Sequence, residues 1–217
     1  MDYEIFINLV TKINNLDLIG TKAHEKMLPL GRITDLNQLE TKIENAKKAA
    51  VLALIVPINK HPHLVLIKRN SYNGVHSAQM AFPGGKPEKE DKDLKDTALR
   101  ETWEEIGVNS QDVKLITHLS KVYIQPSNFL VTPYFGYCEK TPNFNLDVKE
   151  VSKLITINIF DLLNSNNLIK HHVQTSYSKN LIEVPAFLFE QEIIWGATAM
   201  MISEIKEILL QKNIKII

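Results

Sequence analysis

The sequence predicts a layered domain of the α+β or α/β class, in which helices pack on a sheet of mixed strands. Residues 50–58 and 63–68 are apolar and rich in β-branched side chains. The polar connector 59–62 lies between them, so the pair is expected to form a β-hairpin. Residues 94–106 and 194–211 instead place apolar side chains at helical spacing, which predicts two helices.

The other elements follow in chain order. Residues 3–16 have the spacing of an amphipathic helix, which we expect to end near Gly20. A loop over 69–79 leads to a short strand at 80–82, and Pro83-Gly84-Gly85 ends that strand. Gly107 is placed as the C-terminal stop of the helix over 94–106. Further strands are predicted at 115–123, 130–137, 151–157 and around 184–189, with a short helix at 159–163.

The composition is that of an ordinary globular protein, with 217 residues, 44% hydrophobic and 23% charged. Basic and acidic residues number 25 each, so net charge gives no reason to expect a nucleic-acid or membrane partner. Cys138 is the single cysteine, and the N-terminus lacks the pattern of a secretory signal. We therefore expect a cytoplasmic protein. A homodimer is compatible with these observations.

The helix over 94–106 carries an unusual concentration of negative charge. On a helical projection, we expect Leu99, Trp103 and Ile106 to pack on the sheet. The opposite face has three carboxylates: Glu101, Glu104 and Glu105. These like charges repel one another near a helix end that is itself negative, so a divalent cation with oxygen ligands is expected there. An isolated acidic face, in contrast, is usually only solvated.

The surrounding residues favour the metal site. Phe82-Pro83-Gly84-Gly85, Asp91 and the run from Ala98 to Val108, which contains Arg100-Glu101 and Glu104-Glu105, resemble the Nudix box. The resemblance implies an α+β Nudix fold with a mixed β-sheet sandwiched between α-helices. It also implies metal-dependent hydrolysis of a diphosphate linkage with Mg²⁺ or Mn²⁺. Glu101, Glu104 and Glu105 would bind the metal, and Glu104 and Arg100 would take part in catalysis.

The box is one residue longer than the general pattern, because five residues separate Gly85 from Asp91 and eight separate Asp91 from Arg100. This longer loop, with residues 66–70 and 76–85, is similar to the coenzyme A pyrophosphatase branch, although Ala78 replaces a glycine of that pattern. The resemblance implies coenzyme A or an acyl-coenzyme A as substrate. The products would be 3′,5′-ADP and phosphopantetheine or its acyl form.

Several further residues are expected to contact the substrate or the reacting water. The resemblance implies a substrate-binding set of Arg69, His76, Gln79, Gly84 and Gly85, and it implies that Glu150 binds metal or activates water. Arg69 is the first candidate for a 3′-phosphate contact, with Lys68 and Lys86 as alternatives. Ordinary roles in packing or on the surface remain alternatives for Arg100, His76 and Glu150.

Two other functions remain open at this stage. One is hydrolysis of another small-molecule nucleoside diphosphate derivative, such as ADP-ribose. The other is a non-catalytic Nudix-fold binding module, although all three box glutamates are present. We divide the chain into an N-terminal helix and connector, residues 1–46, and a Nudix hydrolase domain, residues 47–217.

Overall fold

The computed structural model describes residues 2–13, 19–29, 42–70, 79–174 and 180–211. The helices are α1 (Tyr3–Val10), α2 (Gly20–Glu25), α3 (Leu94–Ile106), α4 (Ile159–Leu163) and α5 (Gly196–Gln211). The first strands are β1 (Lys47–Ile58), β2 (His61–Arg69), β3 (Met80–Ala81), β4 (Gly84–Gly85), β5 (Val113–His118) and β6 (Val122–Ile124). The others are β7 (Phe129–Cys138), β8 (Val151–Asn158), β9 (Leu168–Val173), β10 (Ile182–Phe189) and β11 (Glu192–Trp195).

Within the described residues, the main sheet has eight strands. Its central order is β3-β2-β1-β7-β5, while β4 pairs with β1, β6 with β7 and β8 with β2. β1 and β7 are parallel, and the other pairs are antiparallel. The sheet is therefore mixed, and the predicted α+β class is confirmed.

Alternate side chains of β1 point into two separate apolar layers, as a period-2 strand requires. Ala53 and Ile55 join the larger core, which includes residues of α1, α4 and α5. Leu52 and Leu54 join a second cluster that contains Ala98 and Ile106 of α3. The sheet thus lies between helices, and α3 is held against one face of its central strand.

The predicted hairpin at the start of the sheet is present as β1 and β2. Asn59 and Lys60 form its turn with positive φ angles of 49° and 66°. Such angles match the twist of a two-residue hairpin loop. The segment predicted as one strand at 115–123 is instead two strands, β5 and β6, which both pair with β7. Leu119 N donates to Pro133 O, but Pro133 has no N–H to return a bond, which interrupts the ladder there.

A second sheet of three strands, in the order β11-β10-β9, was predicted only at its central strand. β10 and β11 form a hairpin, so Ile194 and Trp195 are extended and α5 begins at Gly196 rather than at residue 194. Lys68 of β2 and Lys153 of β8 both pair with Glu192, with Nζ–carboxylate distances of 2.8 and 3.2 Å. These contacts join the two sheets.

The N-terminal helix is shorter than predicted, since α1 ends at Val10, and residues 14–16 of the prediction lie outside the described residues. α1 is part of the main core: Phe6 is fully buried and the Tyr3 hydroxyl donates to backbone oxygens of Ile55 and Cys138. No helix among the described residues is long and apolar enough to cross a membrane. The predicted boundary between residues 46 and 47 stays a prediction.

Candidate active site

Local signals determine both ends of α3. The Asp93 carboxylate accepts hydrogen bonds from Lys95 N and Asp96 N at 2.8 and 2.9 Å, which caps the first turn. Gly107 adopts φ 75° and ends the helix in the left-handed conformation. The helix therefore spans the predicted residues.

The predicted packing face of α3 is wrong at Trp103, whereas Leu99 and Ile106 pack in the second cluster as predicted. Trp103 is 56% exposed, whereas Ala98, Thr102, Glu105 and Ile106 are buried. These four residues are separated by four, three and one positions, so they form one helical stripe that faces β1. Trp103 projects from the opposite side. The buried stripe therefore includes a carboxylate, and the largest apolar side chain of the helix lies outside it.

Glu105 is the most buried acid of this helix, with 1% of its side chain exposed. Its Oε2 accepts a 2.8 Å hydrogen bond from Gly84 N, and its Oε1 lies 3.4 Å from Arg69 Nη1. Within the part of the chain that the structure describes, Oε1 accepts no hydrogen bond. Burial raises the pKa of Glu105 to about 7, despite the opposing effects of Arg69 and Gly84.

Glu101 lies one turn earlier and close to the β4 backbone. A Cβ atom added to Gly85 would approach Glu101 Oε1 to 2.3 Å, so this carboxylate occupies the space that a side chain would need. Gly84 has φ 150°, and a Cβ there would meet Ala50 O at 2.3 Å. Both glycines are therefore required for close contact of β4 with β1 and α3. Burial, followed by weaker repulsion from neighbouring acids, raises the pKa of Glu101.

Arg100 joins the helix to the loop that precedes it. Its Nε and Nη2 donate to the two Asp91 oxygens at 3.0 Å each, and Nη2 also donates to Lys86 O at 2.9 Å. The Arg100 hydrogen bonds hold the pKa of Asp91 well below its usual range. Asp91 Oδ2 also accepts from Glu88 N and from the Thr97 hydroxyl at 2.9 Å. Asp91 thus has a positioning role that the sequence did not predict.

Glu104 is more exposed than Glu101 and Glu105. Its side chain is 46% exposed, and its Oε2 accepts from Arg100 Nη1 at 2.8 Å. Arg100 Nη2 also lies 3.3 Å from Glu101 Oε1, so the guanidinium bridges the two glutamates. The metal and catalytic roles of Glu104 stay predictions.

Glu150 lies beside the buried carboxylates, in the loop before β8. Asn70 N donates to Glu150 O at 2.8 Å, and Arg69 pairs with Val151, which fixes this loop against the end of β2. The negative charge of Glu150 contributes to the raised pKa of both Glu101 and Glu105. The three carboxylates therefore interact electrostatically.

The Gly84-Gly85 segment also forms part of the lining of a cleft of about 530 Å³. Arg69, Gln79, Gly84 and Gly85 line it, and much of the remaining wall is apolar, including Phe129, Trp195 and Met201. This volume is in the range of small-molecule sites. Four of the five predicted substrate contacts thus share one cavity. His76, with Ala78, falls outside the described residues.

The described carboxylate, histidine and cysteine side chains include no group of three arranged to hold a metal ion. Two observations nevertheless fit a cation beside Glu101 and Glu105. Glu105 Oε1 is buried and accepts no hydrogen bond. Burial and mutual repulsion both disfavour the charged form of these acids, so a positive ion would relieve the electrostatic cost.

Comparison with known proteins identifies relatives over most of the chain. The family described as NUDIX domain matches residues 47–172. A Nudix hydrolase NudL of Photorhabdus laumondii is 30% identical over 164 residues, which cover 76% of this chain and 86% of that protein. Nudix hydrolase 3 of Caenorhabditis elegans is 28% identical over 169 residues, covering 71% of this chain and 70% of the relative.

Solved structures give the same fold at low sequence identity. The Nudix hydrolase RenU of M. smegmatis superposes with a TM-score of 0.51 at 12% identity, covering 79% of this chain and 89% of that structure. The NUDIX domain of Shewanella oneidensis NrtR, solved with ADP ribose, gives a TM-score of 0.50 at 12% identity. That match covers 82% of this chain and 99% of the other. At these identities the likeness concerns the fold alone.

Proposed function

Because this chain belongs to the Nudix hydrolase family, we propose that it hydrolyses the diphosphate linkage of coenzyme A or an acyl-coenzyme A. The products are 3′,5′-ADP and phosphopantetheine or its acyl form. The main support is the buried Oε1 of Glu105, close to Glu101. The same carboxylate binds Gly84, which lines the cleft of about 530 Å³. The resemblance of residues 66–70 and 76–91 to coenzyme A pyrophosphatases supports this substrate.

The cofactor that we propose is Mg²⁺ or Mn²⁺. Glu101 and Glu105 are its first candidate ligands, and Glu104 and Glu150 are the neighbouring carboxylates that could complete the set. When bound, a divalent cation supplies positive charge that stabilises the phosphate oxygens and the leaving phosphate.

The residues of the chain position the reactants and handle the proton. Arg100 holds Glu101 and Glu104 in fixed orientations, and its own guanidinium is fixed by Asp91. Glu150 is exposed beside the carboxylates, so it is our candidate for the base that accepts the proton of the attacking water. Water attacks one phosphorus and gives its proton to Glu150, the bridging P–O bond to the other phosphorus breaks, and 3′,5′-ADP and phosphopantetheine or its acyl form leave as two phosphate monoesters.

The first experiment is a product assay on coenzyme A, acetyl-coenzyme A, ADP-ribose and NADH with Mg²⁺ or Mn²⁺. We expect the highest kcat/KM for coenzyme A or its acyl form. A higher kcat/KM for ADP-ribose would make the substrate assignment wrong while leaving hydrolysis of a diphosphate intact.

The second experiment tests the carboxylates. Glu105→Gln and Glu101→Gln should each lower kcat by roughly a hundredfold or more, because they remove negative charge at the proposed centre. Glu104→Gln should change kcat in the same direction. Glu139→Gln is the matched control, since this exposed glutamate pairs with Lys114 on β5. Turnover like that of the unchanged protein in both Glu101→Gln and Glu105→Gln would remove these residues from the mechanism.

A further inference from the structure

Lys86 occupies a distinctive position in the wall of the cleft. It directly follows Gly85, and its carbonyl oxygen accepts a 2.9 Å hydrogen bond from Arg100 Nη2. Its Nζ lies 5.5 Å from the centre of the Phe129 ring, which also lines the cleft. The backbone of Lys86 is thus held by the Arg100 cluster, and its ammonium group is held over an aromatic face.

Two other basic groups near the cleft have acidic neighbours. Arg69 Nη1 lies 3.4 Å from Glu105 Oε1, and Lys68 Nζ lies 2.8 Å from Glu192 Oε2. Among the described residues that line the cleft, Arg69 and Lys86 are the basic ones, and none of the acids is part of the lining. Lys86 therefore has a charge that points into the cleft without an acid facing it there.

The aromatic ring beneath this charge is displaced along β1 from the residue that binds Glu105. Gly84, which binds Glu105, pairs with Val51 of β1, whereas Phe129 pairs with Lys47 of the same strand. Four residues of an extended strand separate these backbone positions by about 13 Å. The Lys86 ammonium beside Phe129 therefore lies towards a different part of the cleft from the Gly84 backbone that binds Glu105.

We propose that Lys86 binds a second anionic group of the substrate, the 3′-phosphate of the coenzyme A nucleotide. This inference rests on the proposed function and transfers the 3′-phosphate contact from Arg69 to Lys86. A phosphate monoester carries about −1.5 to −2 charges at pH 7. A lysine ammonium binds such a group as a point charge, and Phe129 orients it before the substrate arrives. Lys86 is then a residue that determines specificity.

The kinetic test compares coenzyme A with 3′-dephospho-coenzyme A. Lys86→Met removes the charge but keeps the aliphatic chain, and it should lower kcat/KM for coenzyme A about tenfold, as loss of one charge-assisted contact predicts. The effect should appear in KM rather than kcat, and 3′-dephospho-coenzyme A should be affected much less. Lys86→Arg, which keeps the charge, should retain most of the preference. Lys89→Met is the control, because Lys89 is exposed on the same loop and does not line the cleft.

Equal losses for both substrates, or no loss for either, would overturn the role of Lys86. A binding measurement separates this result from failure of the proposed function. By calorimetry, the unchanged protein should bind 3′,5′-ADP about tenfold more tightly than 5′-AMP, and Lys86→Met should abolish the difference. If coenzyme A is not hydrolysed but this preference holds, only the proposed function fails. If coenzyme A is hydrolysed and Lys86→Met keeps the preference, only the role of Lys86 fails.

Discussion

Replacement of Glu105 by glutamine should change how stability depends on pH in the metal-free protein. Burial raises the pKa of Glu105 from 4.5 to about 7. An acid with a raised pKa in the folded state contributes stability below the pKa of the unfolded state. That contribution is lost as pH rises from about 4.5 to about 7, because the unfolded chain then binds fewer protons than the folded one.

The size of the effect follows from the linkage relation. A shift from 4.5 to about 7 corresponds to roughly 3 kcal/mol over the whole interval, of which about 2–3 kcal/mol falls between pH 5 and pH 8. Only 1% of the Glu105 side chain is exposed, so solvent screening does not greatly reduce this value. Glutamine stays neutral at both pH values. The variant should therefore gain about 2–3 kcal/mol relative to the unchanged protein between pH 5 and pH 8.

Urea denaturation of both proteins in EDTA at pH 5, 6, 7 and 8 measures this difference. The two proteins share all other titrating groups, so the pH dependence of those groups cancels in the comparison. Addition of Mg²⁺ at pH 8 should then stabilise the unchanged protein more than Glu105→Gln, because an ion that binds the folded state raises its stability. A difference between the two proteins that stays constant from pH 5 to pH 8 would refute the burial of an ionisable Glu105.

Three further substitutions test other parts of the site. Trp103→Ala should lower the free energy of unfolding by less than about 1 kcal/mol, measured by urea denaturation, because the side chain is 56% exposed. A loss of about 3–5 kcal/mol would instead indicate that Trp103 packs on the sheet, as predicted from the sequence. Gly85→Ala should lower kcat by about tenfold or more, because its Cβ displaces Glu101; unchanged kcat would contradict this contact. Asp91→Asn should cost about 2 kcal/mol in urea denaturation by weakening the Arg100 hydrogen bonds, and an unchanged midpoint would exclude that role.

The features of α3 that could be predicted from the sequence are those set by near neighbours in the chain. Its ends depend on Asp93 and Gly107, whose capping interactions lie within one turn. Its buried face could not be predicted from residue polarity, because the structure buries Glu105 and exposes Trp103. A helical projection assigns apolar side chains to the core, and this rule fails where a carboxylate has a backbone N–H and an arginine as neighbours.

The second sheet was difficult to predict for a related reason. Strand β9 has the sequence Leu-Ile-Lys-His-His-Val, in which polar residues interrupt the apolar pattern. Its pairing partner is β10, so its strand conformation depends on long-range contacts. The positioning role of Asp91 could not be predicted for a similar reason, because it depends on Arg100, nine positions later, and on backbone groups of its own loop.

The balance of charge at the site differs from that of the whole chain. The full sequence has equal numbers of acidic and basic residues. Around α3, however, the carboxylates exceed the two arginines by three when all are ionised: Asp91, Glu101, Glu104, Glu105 and Glu150 against Arg69 and Arg100. Asp91, Glu101 and Glu104 all contact Arg100, so among the described residues Arg69 is the arginine that faces Glu105. Because the pKa of Glu105 stays raised even beside Arg69, that arginine does not offset the burial of the acid. A cation of higher charge is therefore the expected partner of Glu105. Because Arg69 lies beside this carboxylate, Lys86 is the other basic residue of the described cleft lining, and it is the one that we propose binds a second phosphate.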